Sequence, residues 1–334
     1  MSSRLFGVGV SGPELTETER GILASQPPYG VILFQRNIES PGQLGRLIAE
    51  LRGLGVRFLF LDQEGGPVDR LRDLMAPAPS LRRAATLGVA RRAGELAGAS
   101  LVSLGFDVDL APVVDRAVPG AGEAVLGERA VSADPGEIVR SAGDFLAGLH
   151  SRGVGGCLKH FPGLGRARLD THQALPVLEE NRHEEALDLV PFDALMGTAR
   201  AVMISHAAGE DGLPASLAEE WATIRLRDIL SFEGVAFSDD LEMGALDAFG
   251  DLPERCVRAA MAGCDLLFVC KRIDVYPRCV EAVEARVPVP RRTEAAERLE
   301  DYAGHLARLQ KAAPGGETIP ALTAELRSLA DSAA

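Results

Sequence analysis

The hydrophobic residues of this chain are grouped into eight short, nearly continuous runs, and the stretches between the runs have helical periodicity. Continuous apolar runs are typical of parallel strands that are buried on both faces. The predicted strands are 5–10, 30–35, 57–62, 106–114, 154–159, 201–206, 234–239 and 264–270. Apolar residues at three- and four-residue spacing predict helices between them, for example at 41–54 and 136–151.

Eight strands, each followed by a helical stretch, predict a (β/α)8 TIM-type barrel of the α/β class. An open, doubly wound parallel sheet is the alternative, although that fold usually needs fewer such units. No linker rich in Gly, Ser or Pro divides the 334 residues, so we expect a single domain. We place the barrel at 1–312 and a C-terminal helical tail at 313–334.

Composition and charge narrow the class of partner. With 46% hydrophobic and 25% charged residues, the chain has the composition of a soluble globular protein. Its formal net charge of −13 argues against binding to nucleic acid or to an anionic membrane, because phosphate contacts need clustered cations. An acidic ligand held by a local group of arginines stays possible.

The sequence also bears on the compartment. It has no signal-peptide pattern and no apolar stretch long enough to span a membrane, and its five cysteines include no Cys-x-x-Cys pair. We therefore expect a reduced, cytoplasmic, monomeric protein. We expect neither a disulfide framework nor a metal site in it, and no cofactor.

Polar residues follow five consecutive predicted strands at the end where a barrel carries its active site. They are Asp62 after the third strand, Asp115 after the fourth, Lys159-His160 at the fifth, Ser205-His206 at the sixth and Asp239-Asp240 at the seventh. An Asp at a strand end often caps the following helix, and for Asp115 that alternative is about as good. Five such groups at one rim are hard to explain by capping, so we expect an active site there.

Two further features point to chemistry near the fifth strand. Only three of the 35 cations are lysines, and Lys159 ends a buried apolar strand within the most specific of the chain's motifs. A compact ammonium suits sugar hydroxyls or a carbonyl, although a structural pairing with a nearby Asp is the alternative. In the loop that follows, Asp170-Thr171-His172 places a carboxylate where it could orient an imidazole for proton transfer.

Four segments taken together resemble the glycoside hydrolase family 3 β-N-acetylglucosaminidases of bacterial peptidoglycan recycling. The segments are LDQEGGPVDRLR (61–72), LGERA followed by DP (126–135), KHFPGLGRARLDTH (159–172) and GVAFSDDLEM (234–243). The resemblance extends over roughly residues 5 to 310 in the same order. It implies a single-domain barrel enzyme that removes terminal N-acetylglucosamine from muropeptide fragments.

The resemblance also implies roles for individual residues. Asp239 stands at the family's catalytic nucleophile, and its neighbour Asp240 is expected to face elsewhere, as alternate residues of a strand do. His172 stands at the general acid/base, with Asp170 as its partner. The positions that hold the sugar, or support the nucleophile, are matched by Asp62, Arg70, Arg129, Lys159, His160 and His206.

Four positions depart from the family pattern. Leu164 replaces a His, Pro67 replaces a frequent Arg, and Ala130-Val131 replace a Ser-aromatic pair. They remove no proposed catalytic group, but they leave open the loop conformation and the preference beyond the first sugar.

Alternative functions are a phosphorolytic β-glycosidase, a barrel that binds amino sugars without turnover, and a metal-dependent amidohydrolase. Phosphorolysis stays open because a neutral imidazole tolerates an anionic acceptor better than a carboxylate does. The amidohydrolase is disfavoured, because that class needs an H-x-H pair at the first strand, which here ends in Val8-Gly9-Val10-Ser11.

Overall fold

Eight parallel strands form one sheet, in which strands that are consecutive along the chain are neighbours. The structure, a computed structural model, describes residues 2–121, 123–167, 175–176, 181–209 and 211–331. The strands are β1 (Phe6–Gly9), β2 (Gly30–Leu33), β3 (Phe58–Leu61), β4 (Val108–Asp109), β5 (Leu158–Phe161), β6 (Ala201–Ile204), β7 (Val235–Asp240) and β8 (Leu266–Val269). β1 pairs with both β2 and β8, so the two ends of the chain of strands are β4 and β5.

These two end strands meet and close the sheet into a barrel. Parallel bridges join Val108 to Gly155 and Val113 to Lys159. The Val114 N–H donates to the Lys159 carbonyl at 2.9 Å, and the Cys157 N–H donates to the Ala111 carbonyl at 2.8 Å. The predicted (β/α)8 barrel is therefore confirmed.

The barrel interior is filled by aromatic side chains that reach it from opposite sides of the sheet. Phe60 of β3, Phe237 of β7 and Phe268 of β8 meet edge to face, with ring centroids 5.5–5.8 Å apart. All three rings are almost completely buried. Since β3 lies on the far side of β1 and β2 from β8, the rings can meet only across the barrel axis, where they form a packed layer.

Helices follow the strands along the chain. They are Glu17–Ser25, Pro41–Gly53, Leu81–Thr86, Ala90–Leu104, Glu123–Leu126, Pro135–Ser151, Arg182–Ala199, Leu252–Ala262, Tyr276–Arg286, Val289–Ala312 and Ile319–Asp331, and Glu220–Ile229 has π-type hydrogen bonding. Ser40 caps the second helix by accepting from the Gln43 N–H, and Pro41 occupies its first turn. Asp134 caps the helix Pro135–Ser151 in the same manner, through the Gly136 N–H. The helices predicted at 41–54 and 136–151 are thus confirmed.

Two strands differ from their predicted bounds by more than two residues at one end. The fourth, predicted at 106–114, is continuous only at Val108–Asp109, because Pro112 has no N–H to offer a ladder. The fifth, predicted at 154–159, is Leu158–Phe161, so Lys159, predicted as its last residue, and His160, predicted to follow it, both lie inside the strand. Their side chains are nevertheless buried, because β5 turns polar residues into the upper end of the barrel.

The C-terminal helix Ile319–Asp331 packs on the outside of the barrel. Leu322 and Leu326 are buried against the core, and Glu325 pairs with Arg92 of the helix Ala90–Leu104. Just before this helix, Glu317 contacts Arg152 at 2.6 Å. The division into a barrel and a tail at residue 313 stays a prediction. In the described part of the chain, each helix is too short or too polar to cross a membrane.

Candidate active site

A cavity of about 330 Å³ opens at the carboxyl ends of the strands. Its wall combines apolar side chains with a high density of charged ones. The charged and imidazole side chains that line it are Arg36, Asp62, Glu64, Arg70, Arg129, Lys159, His160, Asp239, Asp240 and Lys271. Six of the nine residues named from the sequence line this cavity; His206 does not, and Asp170 and His172 lie outside the described residues.

One chain of ion pairs joins three of the barrel loops in this wall. Lys159 Nζ on β5 lies 2.8 Å from Asp62 Oδ1 and 2.6 Å from Glu64 Oε1, which both follow β3. Arg129 makes a two-pronged contact with Glu64, from Nε to Oε2 at 2.8 Å and from Nη2 to Oε1 at 2.9 Å. Glu64 thereby fixes two cations at once, and both keep a defined position at the cavity wall.

This pairing sets the protonation of the buried groups. Burial alone would raise the pKa of Glu64, but Lys159 and Arg129 hold it well below its usual range. Burial likewise opposes the charge on Lys159, yet Asp62 and Glu64 raise the pKa of its ammonium. The groups are therefore ionised at neutral pH, and the wall presents fixed charges rather than titrating ones.

His160 is oriented by Asp115, a residue that follows β4. The ring Nδ1 lies 2.7 Å from Asp115 Oδ2, and the same carboxylate accepts the His160 N–H at 3.2 Å and the Leu164 N–H at 2.7 Å. On its other side, His160 Nε2 lies 3.3 Å from Arg129 Nη2. Because a guanidinium only donates, Nε2 must accept, and the ring proton is assigned to Nδ1. Asp115 thus positions the imidazole and does not cap a helix.

Asp239 lies near the end of β7 with its carboxylate in the cavity wall. Its Oδ1 accepts the Asp240 N–H at 2.7 Å. Burial by itself raises the pKa of Asp239, but the His206 and His160 rings and the Asp240 N–H together hold it below its usual value. The carboxylate is therefore ionised at neutral pH, as a nucleophile must be.

His206 lies behind Asp239 and is fully buried. Its Nε2 donates to the Asp240 carbonyl at 2.8 Å, which leaves Nδ1 to accept from the Ser216 hydroxyl at 2.7 Å. Both ring nitrogens are therefore committed to protein partners, and burial lowers the pKa of the ring. This geometry places His206 as a support for the end of β7.

Asp240 lines the same cavity as Asp239, so the expectation that it faces elsewhere is wrong. The reason is a β-bulge: Phe237 pairs with Leu266, but Asp240 already pairs with Phe268, so β7 uses one more residue than β8 over this step. Burial raises the pKa of Asp240 to about 6. The nearest cation is Lys271, whose Nζ lies 3.9 Å from Asp240 Oδ2.

The segment that leads from β5 towards residues 170–172 is held by buried ion pairs. Asp188 of the helix Arg182–Ala199 accepts from Arg166 Nε at 2.5 Å and from Arg116 Nη1 at 3.2 Å. Close packing requires glycines here, since a Cβ on Gly165 would lie 2.0 Å from the Arg116 carbonyl oxygen. The path of the chain up to residue 167 is therefore closely constrained.

The residue patterns missed one member of the site, Glu64, and left the role of Asp115 open. Glu64 carried a usable signal, because two cations in one apolar barrel, Lys159 and Arg129, require buried counter-charges. The sequence placed Asp115 at the active rim but allowed helix capping equally well, and it gave no sign that this carboxylate orients His160. In the described ranges, no three His, Cys, Asp or Glu side chains are grouped as ligands for a metal ion.

Comparison with known proteins identifies the family. Residues 5–303 match the glycosyl hydrolase family 3 N terminal domain. A beta-hexosaminidase of Thioalkalivibrio sulfidiphilus is 38% identical over 289 residues, which are 82% of this chain and 83% of that protein. A beta-hexosaminidase of Pseudomonas aeruginosa is 38% identical over 272 residues, covering 78% of this chain and 80% of that protein.

Solved structures agree with these sequence relatives. NagZ from Neisseria gonorrhoeae, in complex with N-trifluoroacetyl-D-glucosamine, superposes with a TM-score of 0.83 at 28% identity, covering 99% of this chain and 98% of that one. A family 3 β-N-acetylglucosaminidase from Paenibacillus sp. gives a TM-score of 0.87 at 26% identity, over 99% of this chain and 68% of that one. The resemblance found in the sequence motifs is confirmed: the chain belongs to glycosyl hydrolase family 3 and is a glycoside hydrolase of the β-N-acetylhexosaminidase type.

Proposed function

We propose that this protein is a retaining, exo-acting β-N-acetylglucosaminidase in which Asp239 is the nucleophile. The observation that carries the proposal is an ionised Asp239 carboxylate in the wall of the cavity, on a strand end fixed by His206. A retaining glycosidase needs such a carboxylate to attack the anomeric carbon and form a glycosyl-enzyme ester.

The sugar is bound beside Asp239 by the paired charges of the wall. Asp62 accepts hydrogen bonds from sugar hydroxyls, while Lys159, Arg70 and Arg129 donate to their oxygens. His160 Nε2 accepts, because its Nδ1 proton is directed to Asp115. Since these groups are already paired with one another, the site loses little freedom when the sugar enters.

Proton transfer is assigned to His172 with Asp170 as its partner, on the family's pattern. In the first step His172 donates a proton to the leaving oxygen as the bond from Asp239 to the anomeric carbon forms. In the second step it removes a proton from water, which attacks the same carbon and releases the Asp239 carboxylate. Support comes from the anchored segment that precedes these residues, up to residue 167.

The natural substrate we propose is a muropeptide or a related amino-sugar glycoside, since the family relatives are hexosaminidases. We further propose a monomer in the cytoplasm. All five cysteines are buried and unpaired, as suits a reducing compartment. Cell fractionation and light scattering of the purified protein test these two points.

The decisive experiment is the substitution Asp239→Ala, assayed with 4-nitrophenyl N-acetyl-β-D-glucosaminide. We expect kcat to fall by about 10³-fold or more, because the attacking group is removed. Asp274→Ala is the matched control, since Asp274 is an exposed carboxylate after β8. Circular dichroism shows whether each variant is folded.

A covalent probe separates the nucleophile from a merely structural role. A 5-fluoro glycosyl fluoride of N-acetylglucosamine should label the wild-type protein at Asp239, seen as a peptide mass increase, and should leave Asp239→Ala unlabelled. Normal turnover by a folded Asp239→Ala protein would overturn the assignment. Binding of the substrate without turnover by the wild type would favour the silent sugar-binding barrel.

A further inference from the structure

Asp109, the last residue of β4, is a fully buried carboxyl group that does not line the cavity. Its backbone is held from both sides by the barrel. It pairs with Leu61 of β3, and its N–H donates to the Gly155 carbonyl at 2.9 Å. The side chain therefore starts from a fixed point, beside the loop that follows β3.

One oxygen of this carboxyl group supports that loop from within the protein. Asp109 Oδ1 accepts the Gln63 N–H at 2.9 Å. This N–H belongs to the peptide bond that joins Asp62 to Gln63, so the contact fixes the backbone from which Asp62 reaches the cavity.

The Gln63 side chain carries the support further along the loop. Its Nε2 donates to Asp69 Oδ1 at 2.7 Å, across the short antiparallel hairpin of Gln63–Gly65 and Val68–Asp69. Glu64 lies within this hairpin. Through Gln63, the buried carboxyl group on β4 therefore supports both acidic residues of the loop.

The other oxygen, Asp109 Oδ2, has no hydrogen-bond partner anywhere in the part of the chain that the structure describes. A buried carboxylate would leave this oxygen with an uncompensated share of a full negative charge. That arrangement costs much more free energy than a neutral carboxylic acid in the same place. The surroundings of Oδ2 therefore favour the un-ionised form.

The neighbouring charges act in the same direction. Asp62 and Glu64 already share Lys159, whose Nζ lies 2.8 and 2.6 Å from their oxygens, and an ionised Asp109 would add a third negative charge beside them. Burial raises the pKa of Asp109 well above its usual value, and the two carboxylates raise it further. The Gln63 N–H and Lys159 oppose this shift only in part.

We propose that Asp109 is a positioning residue that acts through Gln63 as an un-ionised carboxylic acid. It fixes the loop from which Asp62 contacts the sugar. A neutral acceptor does this without competing with the carboxylates of the loop for Lys159. This inference rests on the proposed glycosidase function and adds to it a residue that touches neither the sugar nor the cavity.

The first test removes the acceptor and then restores it without a charge. Asp109→Val keeps a residue that favours strands but strands the Gln63 N–H. We expect the Kd of N-acetylglucosamine, measured by calorimetry, to rise about tenfold, at the lower end of what an unpaired buried N–H costs. Asp109→Asn keeps an acceptor oxygen and cannot ionise, so it should recover most of this affinity.

Steady-state kinetics give the same comparison during turnover. With 4-nitrophenyl N-acetyl-β-D-glucosaminide, Asp109→Val should raise KM more than it lowers kcat, because Asp62 holds the sugar before and during the reaction. Asp109→Asn should reverse most of the change in KM.

Asp107→Asn is the matched control on the same segment. Asp107 Oδ2 also accepts an N–H of β3, that of Leu59, at 2.8 Å, but this contact lies two residues further from the cavity and the carboxylate is paired with Arg52. Asp107→Asn should lower the stability of the protein and leave both Kd and KM unchanged.

Infrared difference spectroscopy tests the protonation state directly, without sugar or turnover. The spectrum of the wild type minus that of Asp109→Asn at pH 7 should contain the C=O stretching band of a protonated carboxyl group. Carboxylate bands in its place would overturn the un-ionised state.

The sugar-binding results are equally decisive for the positioning role. Wild-type affinity in a folded Asp109→Val protein would overturn it, and an Asp109→Asn protein that binds as weakly as Asp109→Val would show that the charge is required. If Asp109→Val does not fold, Asp109→Asn and the infrared band decide the question. Failure of the wild type to bind or cleave N-acetylglucosaminides would count against the proposed function, and the infrared result would still decide the state of Asp109.

Discussion

At the scale of single residues, a pair of half-buried histidines far from the cavity makes stability depend on pH. His150 ends the helix Pro135–Ser151, and His305 lies on Val289–Ala312, with their ring centroids 5.7 Å apart. Neither Nε2 has a hydrogen-bond partner among the described residues. Burial lowers the pKa of His150 to about 4, and proximity to His305 adds to this effect.

The difference between the pKa of His150 in the folded and the unfolded chain fixes the direction in which pH changes stability. The unfolded chain binds a proton at His150 near its ordinary pKa of about 6.5, while the folded chain does so only near 4. The free energy of unfolding should therefore fall as the pH drops from about 6.5 to about 4, by about 3 kcal/mol at most. Urea denaturation at pH 7 and pH 5 measures the effect.

His150→Phe should lose part of this pH dependence, because it keeps the ring and removes the titrating nitrogen. His183→Phe is the control, since His183 is exposed on the helix Arg182–Ala199. An unchanged pH dependence in His150→Phe would contradict the assignment.

At the scale of elements, the helix Arg182–Ala199 anchors the segment that leads to Asp170 and His172. Asp188 is buried and pairs with Arg116 and Arg166. Asp188→Asn removes the buried negative charge that Arg116 and Arg166 share, so we expect a loss of about 2 kcal/mol in the free energy of unfolding. Denaturation measures this loss against Asp193→Asn, an exposed carboxylate on the same helix.

The same substitution should also change catalysis. If Asp188 positions the proton donor, kcat should fall more for glycosides with poor leaving groups, which need protonation, than for 4-nitrophenyl glycosides. Asp188→Glu should restore part of the difference. A loss of stability with equal kcat effects on both substrates would show a purely structural role.

The strand ends show what hydrophobic patterning can and cannot predict. All eight strands were predictable, because each is buried on both faces. The end of β5 was not, because a barrel turns polar residues inward at its active rim, and the apolar run stops before the strand does. The place of Asp240 needed the bulge in β7, which depends on pairing with β8 and leaves no mark in the local sequence.

Within the site, too, some features were predictable from the sequence and others depend on the folded arrangement. Residue type and strand order were enough to bring Asp62, Lys159, His160 and Asp239 to one cavity. Which charged side chains form ion pairs with one another was not predictable, because ion pairing depends on distances between loops. Arg129 is closely paired while Lys271 is not, and only the folded arrangement separates them.

At the scale of the whole molecule, the aromatic layer inside the barrel decides how products leave. Phe268 lines the cavity, and with Phe60 and Phe237 it fills the barrel beneath the site. The cavity is therefore closed below by these three rings, and it opens at the carboxyl ends of the strands. A sugar bound at the bottom of the cavity therefore cannot leave until the aglycone above it has been released.

This order of product release predicts a pattern of product inhibition. The aglycone must be released first and N-acetylglucosamine last, so free N-acetylglucosamine binds the same enzyme form as the substrate does. We expect it to be a competitive inhibitor, raising KM without changing kcat in initial-rate measurements. A mixed or noncompetitive pattern would show that N-acetylglucosamine is not the last product to leave.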